Sequence, residues 1–332
     1  MPETKGIKRF FSLVSSVHTQ SRSVLLILGA LVVFIFLLCD VFQIGNESGE
    51  WIFLDPENIA NILNQVSINV VIAFGMTLVI LIKGIDLSVG SITSVSGVVI
   101  AILILTTKLP LPVAVLLTLA AGFLTGAANG ALISMLRVPA FIATLGSMAI
   151  FRGLAFILTD GKAKFVNSDS FKFLGNGFVG PVPAAVILML VLLVLFHFLL
   201  SKTVFGRRIY FLGGNEEAAR LTGTDPVRLR FFVFSIAGAC SAMGGILLAS
   251  RLGSGSPNVG VGYELDAIAA TIVGGTSFSG GKGTIIGTFI GALIMGVISN
   301  GMNLLGISPY MQYVAKGAII LLAVIIDSLK KE

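Results

Sequence analysis

Charge, histidine, cysteine and tryptophan are all scarce in this 332-residue chain: 11% of residues are charged, and there are two histidines, two cysteines and one tryptophan. So little charge excludes an ordinary soluble domain, in which roughly a quarter of residues are charged. His18 and His197 stand alone without ligand spacing, so no metal role and no catalytic role is assigned to either. Cys39 and Cys240 both sit inside apolar runs, which reads as packing and not as a disulfide. Acids are few within those runs. Asp40, Asp86, Glu264, Asp266 and Asp327 fall near run ends, whereas a proton- or sodium-coupled carrier keeps ionisable groups near the midplane. A nucleotide-binding loop is missing as well. In "SGGKGT" (279–284) Gly281-Lys282 is followed by Gly283, and Thr276 stands where the first glycine would be needed. That segment reads as a tight turn between apolar runs. No acid/base cluster and no nucleic-acid patch is present.

Apolar residues and glycine fill the space instead, at 55% hydrophobic with 39 glycines. Runs able to cross a bilayer, or nearly so, fall at about 24–44, 60–82, 92–106, 112–136, 139–159, 182–200, 229–250, 266–280, 284–299 and 310–327. The expected architecture is an all-α, polytopic membrane protein of about ten transmembrane helices, with the third and eighth runs short. The first run is longer than a signal-peptide core and lacks a good cleavage site, so it is expected to be retained. Lys5, Lys8, Arg9 and Arg22 then place segment 1–23 in the cytoplasm. Segment 45–58 carries four acids without Lys or Arg and suits the outside. Segment 201–228 holds Lys202, Arg207, Arg208, Arg220 and Arg228 and suits the inside, as does the tail 330–332. Ten crossings satisfy these constraints together, with 24–329 as one transmembrane domain. Lys162, Lys164 and Lys172 fit this map poorly.

"KGIDLSVGS" (83–91) lies between the second and third runs. Asp86 or Ser88 can cap the third helix, or the patch can belong to a gate. A loose internal repeat links "GIDLSVG" and "ANGALISMLRVPAF" to "GYELDAIA" and "SNGMNLLGISPYM", the halves being five spans apart and therefore inverted. Gly122, Gly126 and Gly130, and also Gly287 and Gly291, recur at four-residue steps suited to close helix packing within the chain. Among polar residues in the runs, Asn64, Gln65, Asn69, Asp86, Asn129, Asn300 and Asn303 are candidates for the pathway or a gate, since neutral amides suit a polyhydroxylated solute. Gln65 and Asn69 share a helix face. Arg152 is expected to make a structural pairing.

The most informative stretch is "GRRIYFLGGNEEAARLTG" (206–223). Asn215 reads as an N-cap, Glu216 and Glu217 as first-turn acids and Gly223 as the stop of a short helix between the sixth and seventh runs. Glu217, Ala218 and Ala219 followed by Gly223 resemble the EAA loop of ABC importer permeases, without its downstream Ile-x-Leu-Pro. Together with "GIDLSVGS", "PAFIATLGSMAIFRG" and "GYELDAIAATIVGGTSFSGGKG", the segment is similar to permease subunits of ribose/galactose/xylose-type ABC importers, over about residues 59–327. The resemblance implies import of a simple sugar across the inner membrane, ribose first and galactose or xylose next. It also implies a second permease copy, a periplasmic or lipid-anchored sugar-binding protein, and a partner ATP-binding subunit that holds ATP and magnesium, with no cofactor on this chain. The coupling segment carried over is Gly213, Gly214, Asn215, Glu216, Glu217, Ala218, Ala219, Arg220 and Gly223. The rival expectations are an ion-coupled sugar carrier and, less favoured, a membrane enzyme acting on lipid.

Overall fold

The computed structural model describes residues 26–41 and 52–329. The basic segment 1–23, part of the acidic connection and the tail 330–332 lie outside the described residues. Each of the ten apolar runs holds a helix: α1 (Leu26–Asp40), α2 (Pro56–Leu81), α3 (Val89–Leu105), α4 (Leu111–Ser134), α5 (Ala140–Thr159), α7 (Ala184–Lys202), α10 (Pro226–Leu252), α11 (Tyr263–Val273), α12 (Ile285–Leu304) and α13 (Pro309–Leu329). Three further helices lie between runs, namely α6 (Asp169–Asn176), α8 (Val204–Gly214) and α9 (Glu216–Leu221). The only strands among the described residues are two-residue pieces: β1 (Lys164–Phe165) pairs with β4 (Ser254–Gly255), and β2 (Phe178–Val179) with β3 (Val182–Pro183).

Local sequence sets the helix starts. Asp55 and Asp225 accept backbone N–H bonds ahead of Pro56 and Pro226, which open α2 and α10 at the position where proline loses nothing. Prolines also immediately precede α4, α5 and α7. Six helices (α2, α4, α5, α7, α10 and α12) are long and apolar enough to cross a membrane. The chain is therefore a multi-pass membrane protein of helices. α2, α10 and α12 are 83%, 72% and 72% buried over their most apolar windows, against 28% for α4, α5 and α7. The first three form the core, and the outer three present exposed leucine- and isoleucine-rich faces suited to lipid or to another protein surface.

The eighth run, expected to be short, holds a helix that does not cross alone. Its helix, α11, has 11 residues and stops at Val273, so it rises about 16 Å, half of a hydrocarbon core of ~30 Å. Residues 274–284 form a turn in place of more helix. The other half of this passage is the non-helical segment 253–262, which leaves α10 beside α6 and β1 and leads into α11. The crossing is a broken one.

Both small-residue stripes pack within the chain, as expected. A methyl group at Gly122, Gly126 or Gly130 would collide with α10, at Gly126 with the Phe234 carbonyl; at Gly287 and Gly291 it would meet the backbone of Gly274 and Ala270. Cys39 and Cys240 are both free and buried. Replacing Gly126 by Ala should therefore cost about 1–3 kcal/mol through overpacking. Gly146→Ala meets open space on the surface of α5 and gains helix propensity. Thermal unfolding of the purified chain should show a lower Tm for the first and an equal or higher one for the second; equal losses would contradict the packing.

Candidate functional site

Two stretches of non-helical backbone each lead into a helix of the bundle. One is 82–88, between α2 and α3. The other is 253–262, between α10 and α11. The second touches the first turn of α3, where Gly90 and Gly260 face each other with no space for a Cβ on either; Gly260 and Gly262 have φ of 78° and 84°, which suits glycine alone. The two stretches are entered from opposite ends of the bundle, and "GIDLSVG" and "GYELDAIA" each stand where the chain turns into a helix.

Side chains from α3 and α5 take up the carbonyls of the second stretch. Arg152 donates through Nη1 to Pro257 O at 3.1 Å and Val259 O at 2.6 Å, and Ser94 Oγ donates to Pro257 O at 3.1 Å. The structural role expected for Arg152 holds, with backbone as its partner. The first turn of α11 carries Glu264 and Asp266. Glu264 accepts from Gly262 N at 3.2 Å. Asp266, 11% exposed, pairs with Lys316 of α13 at 2.8 Å. These two acids stand about half-way across, and Asp86 is wholly buried. The expectation that acids occupy only span ends is thus corrected: the break in the eighth run moves its first turn inward. Lys316 was missed as a basic residue within a run.

The first stretch is held by amides and hydroxyls. Asp86 Oδ1 accepts from Ser88 N at 2.9 Å and from Ser88 Oγ at 2.6 Å; Asn129 Nδ2 donates to Ser88 Oγ at 2.9 Å; and Ser147 Oγ donates to Asn129 Oδ1. Thr144 Oγ1 donates to Ile85 O and accepts from Leu87 N, both at 3.2 Å. Ser88 does sit at the N-cap of α3, but its side chain caps no helix N–H. The Ser88 hydroxyl is engaged by Asp86 and Asn129, and of the two expected caps it is Asp86 that takes a backbone N–H at the start of α3, that of Ser88. Asn129 belongs to this network and is not free for a solute.

The other amide candidates divide. Asn300 exchanges side-chain bonds with Asn58, and Asn303 accepts from Gln312 at 2.7 Å; both tie helices together. Asn58, Gln65 and Asn69 fall within about 40° of one another on a helical wheel, and all three are half-buried. The side-chain amide oxygens of Asn64 and Asn69 are buried with no hydrogen-bond partner.

At the end where α2 finishes, α8 and α9 lie across the bundle. Sequence reading anticipated α9 but missed α8. Asn215 Oδ1 accepts from Ala218 N at 3.1 Å, and Gly223, at φ 77°, follows the last turn, both as expected. Gly213 has no room for a side chain, since a Cβ would strike Leu81 O and Gly281 N. Gly281 N in turn donates to Leu81 O at 2.9 Å, and Tyr210 OH donates to Gly283 O at 2.8 Å. Burial pushes the Tyr210 phenol up to about 12. Asp327 of α13 accepts from Ser277 Oγ at 3.0 Å and Phe278 N at 3.1 Å. The 274–283 turn is therefore clamped between α2, α8 and α13, and α11 hangs from it.

On α9 itself, Glu216 pairs with Arg220 at 2.9 Å and with Arg230 of α10. The hydrogen bond from Arg220, then that from Arg230, holds its carboxyl below the usual carboxylate range. Ala219 is buried beneath the helix, whereas Glu217, Ala218 and Arg220 point outward and Leu221 is 89% exposed. Leu221 was not singled out from sequence.

A family model described as branched-chain amino acid transport system / permease component matches residues 58–324. The chain belongs to this permease family. The ribose import permease protein RbsC of Bacillus subtilis (strain 168) is 46% identical to this permease over 298 residues, 89% of this chain and 91% of the relative. The L-arabinose transport system permease protein AraH of Escherichia coli (strain K12) is 42% identical, covering 92% and 91%. The xylose transport system permease protein XylH of the same organism is 36% identical, covering 84% and 86%. No solved structure matches this permease significantly.

Breaking the Asp266–Lys316 pair leaves a buried charge, which typically costs about 3–5 kcal/mol, whereas removing both charges is far milder. Lys316→Met should lower the Tm of the purified permease sharply, and Asp266→Asn combined with Lys316→Met should restore most of the loss. A single variant as stable as the parent would show that the pair does not hold α11 to α13.

Proposed function

We propose that this permease is the membrane subunit of an ATP-driven importer of a simple sugar, ribose first, working as one of two copies by alternating access. The observation that carries the reading is the 46% identity to a ribose import permease across nine-tenths of both chains. Arabinose and xylose are the next substrates to consider, from the other relatives, followed by galactose. The half-buried amide row on α2 suits any of them, since hydroxyl groups need donors and acceptors without net charge.

The partners are a sugar-binding protein on the outside and an ATP-binding subunit inside, the latter holding ATP and magnesium. The exposed face of α9, with Glu217, Arg220 and Leu221, receives the ATP-binding subunit. Movement of that subunit displaces α9 and α8. Because Gly213 is wedged against Leu81 and Gly281, the displacement reaches both the end of α2 and the turn that carries α11. A shift of α11 changes how its first turn meets α3 and Lys316, beside the contact of Gly90 with Gly260.

Proteoliposomes holding the complete complex should take up labelled ribose only with ATP inside and the cognate binding protein outside. Collapse of ion gradients should leave uptake intact. Uptake that needs an ion gradient and no ATP would favour the ion-coupled carrier, and preference for another sugar would reassign the substrate. In the same assay Glu217→Arg should cut uptake by about tenfold or more, the effect of reversing one interfacial charge. ATP hydrolysis should then be uncoupled or assembly weakened; unaltered uptake would remove α9 as the docking element.

A further inference from the structure

A cavity of about 610 Å³ opens beside α9, bounded by the α2–α3 connection, the α4–α5 turn, α8 and the start of α10. Four cationic side chains line it, Lys83, Arg137, Arg220 and Arg230, against the single carboxylate of Glu216. Glu216 is already engaged by Arg220 and Arg230. Arg137 and Lys83 make no ion pair among the described residues, and the nearest hydrogen-bond acceptor of Lys83 is Gly214 O at 3.5 Å. Both residues adopt the left-handed backbone, with φ of 58° and 62°, a conformation uncommon for long side chains. Two separate turns thus each place an unpaired cation at the same hollow. Phe234 and neighbouring aliphatic side chains supply an apolar wall.

We propose that this cavity binds a phosphoryl anion, presented either by an anionic lipid headgroup or by a small soluble phosphate compound. Guanidinium groups match phosphate oxygens in fork geometry, and lysine adds a point charge. Basic pockets at the ends of membrane helices suit anionic headgroups, and the apolar wall suits the first carbons of an acyl chain. The volume is that of a small-molecule site. An anion held here joins the α2–α3 and α4–α5 turns to α9 and α10, and its oxygens compete with Glu216 for Arg220 and Arg230. Occupancy therefore sets how firmly α9 is seated. The site goes beyond the import reading and does not rest on it.

The test uses the purified full chain in neutral detergent, titrated in separate arms with phosphatidylglycerol, with phosphatidylcholine as the control lipid, and with inorganic pyrophosphate. The expected result is a saturable rise in Tm of several degrees with phosphatidylglycerol or pyrophosphate and none with phosphatidylcholine. The arm that responds identifies the source. The Lys83→Gln/Arg137→Gln double variant should weaken the apparent affinity by about a hundredfold, tenfold for each charge-assisted contact. Lys162→Gln/Lys172→Gln, at the opposite end of the bundle, should respond as the parent does. Should the double variant not fold, Arg137→Ala carries the same comparison. No saturable shift in either anionic arm, or a shift unchanged by the cavity variants, overturns the proposal.

Discussion

Within hydrocarbon every backbone N–H and C=O must find its partner inside the protein, because no water is there to supply one. Two stretches of this chain give up helical bonding, 82–88 where α2 ends and 253–262 between α10 and α11, and much of the bundle is arranged to compensate. Arg152 and Ser94 take the carbonyls of one. Thr144, Asn129 and Ser147 secure the other. The glycine stripes of α4 and α12 serve the same end, since they let α10 and α11 approach closely.

That constraint also locates where the molecule can move. A continuous helix of twenty or more residues transmits force as a rod and has no internal joint. A half-helix led in by extended backbone has one. α11 is held at its inner end by the clamped 274–283 turn and at its outer end by the Asp266–Lys316 pair. Between those ends α11 packs along α12 and α2, so a shift of α11 involves both. α11 thus links the turn bonded to α8 with the contact between α3 and 253–262.

Much of this was legible in the sequence. All ten apolar runs hold helices, Asn215 and Gly223 bound α9 as their chemistry demands, and both glycine stripes pack inside the chain. Other features were not legible, for physical reasons. Hydropathy is the same for an extended apolar segment as for a helix, so the run at 266–280 concealed a helix that starts at Tyr263 and stops at Val273. Asp266 and Lys316 are fifty positions apart, and nothing local marks them as partners. Asn129 and Asn300 look alike as pathway amides, yet each is engaged by neighbours known only once helices are placed. α8 was hidden because its charges read as a positive-inside loop, although "VFGRRIYFLGG" is also a short amphipathic helix.

The account rests most heavily on α9 facing the cell interior, where a motor can reach it. A single cysteine at the exposed Thr222, in a background with Cys39 and Cys240 replaced, measures this directly through labelling with a membrane-impermeant maleimide. Inside-out vesicles should label and intact cells should not. Labelling in intact cells would place α9 outside and contradict the account of motor-driven import.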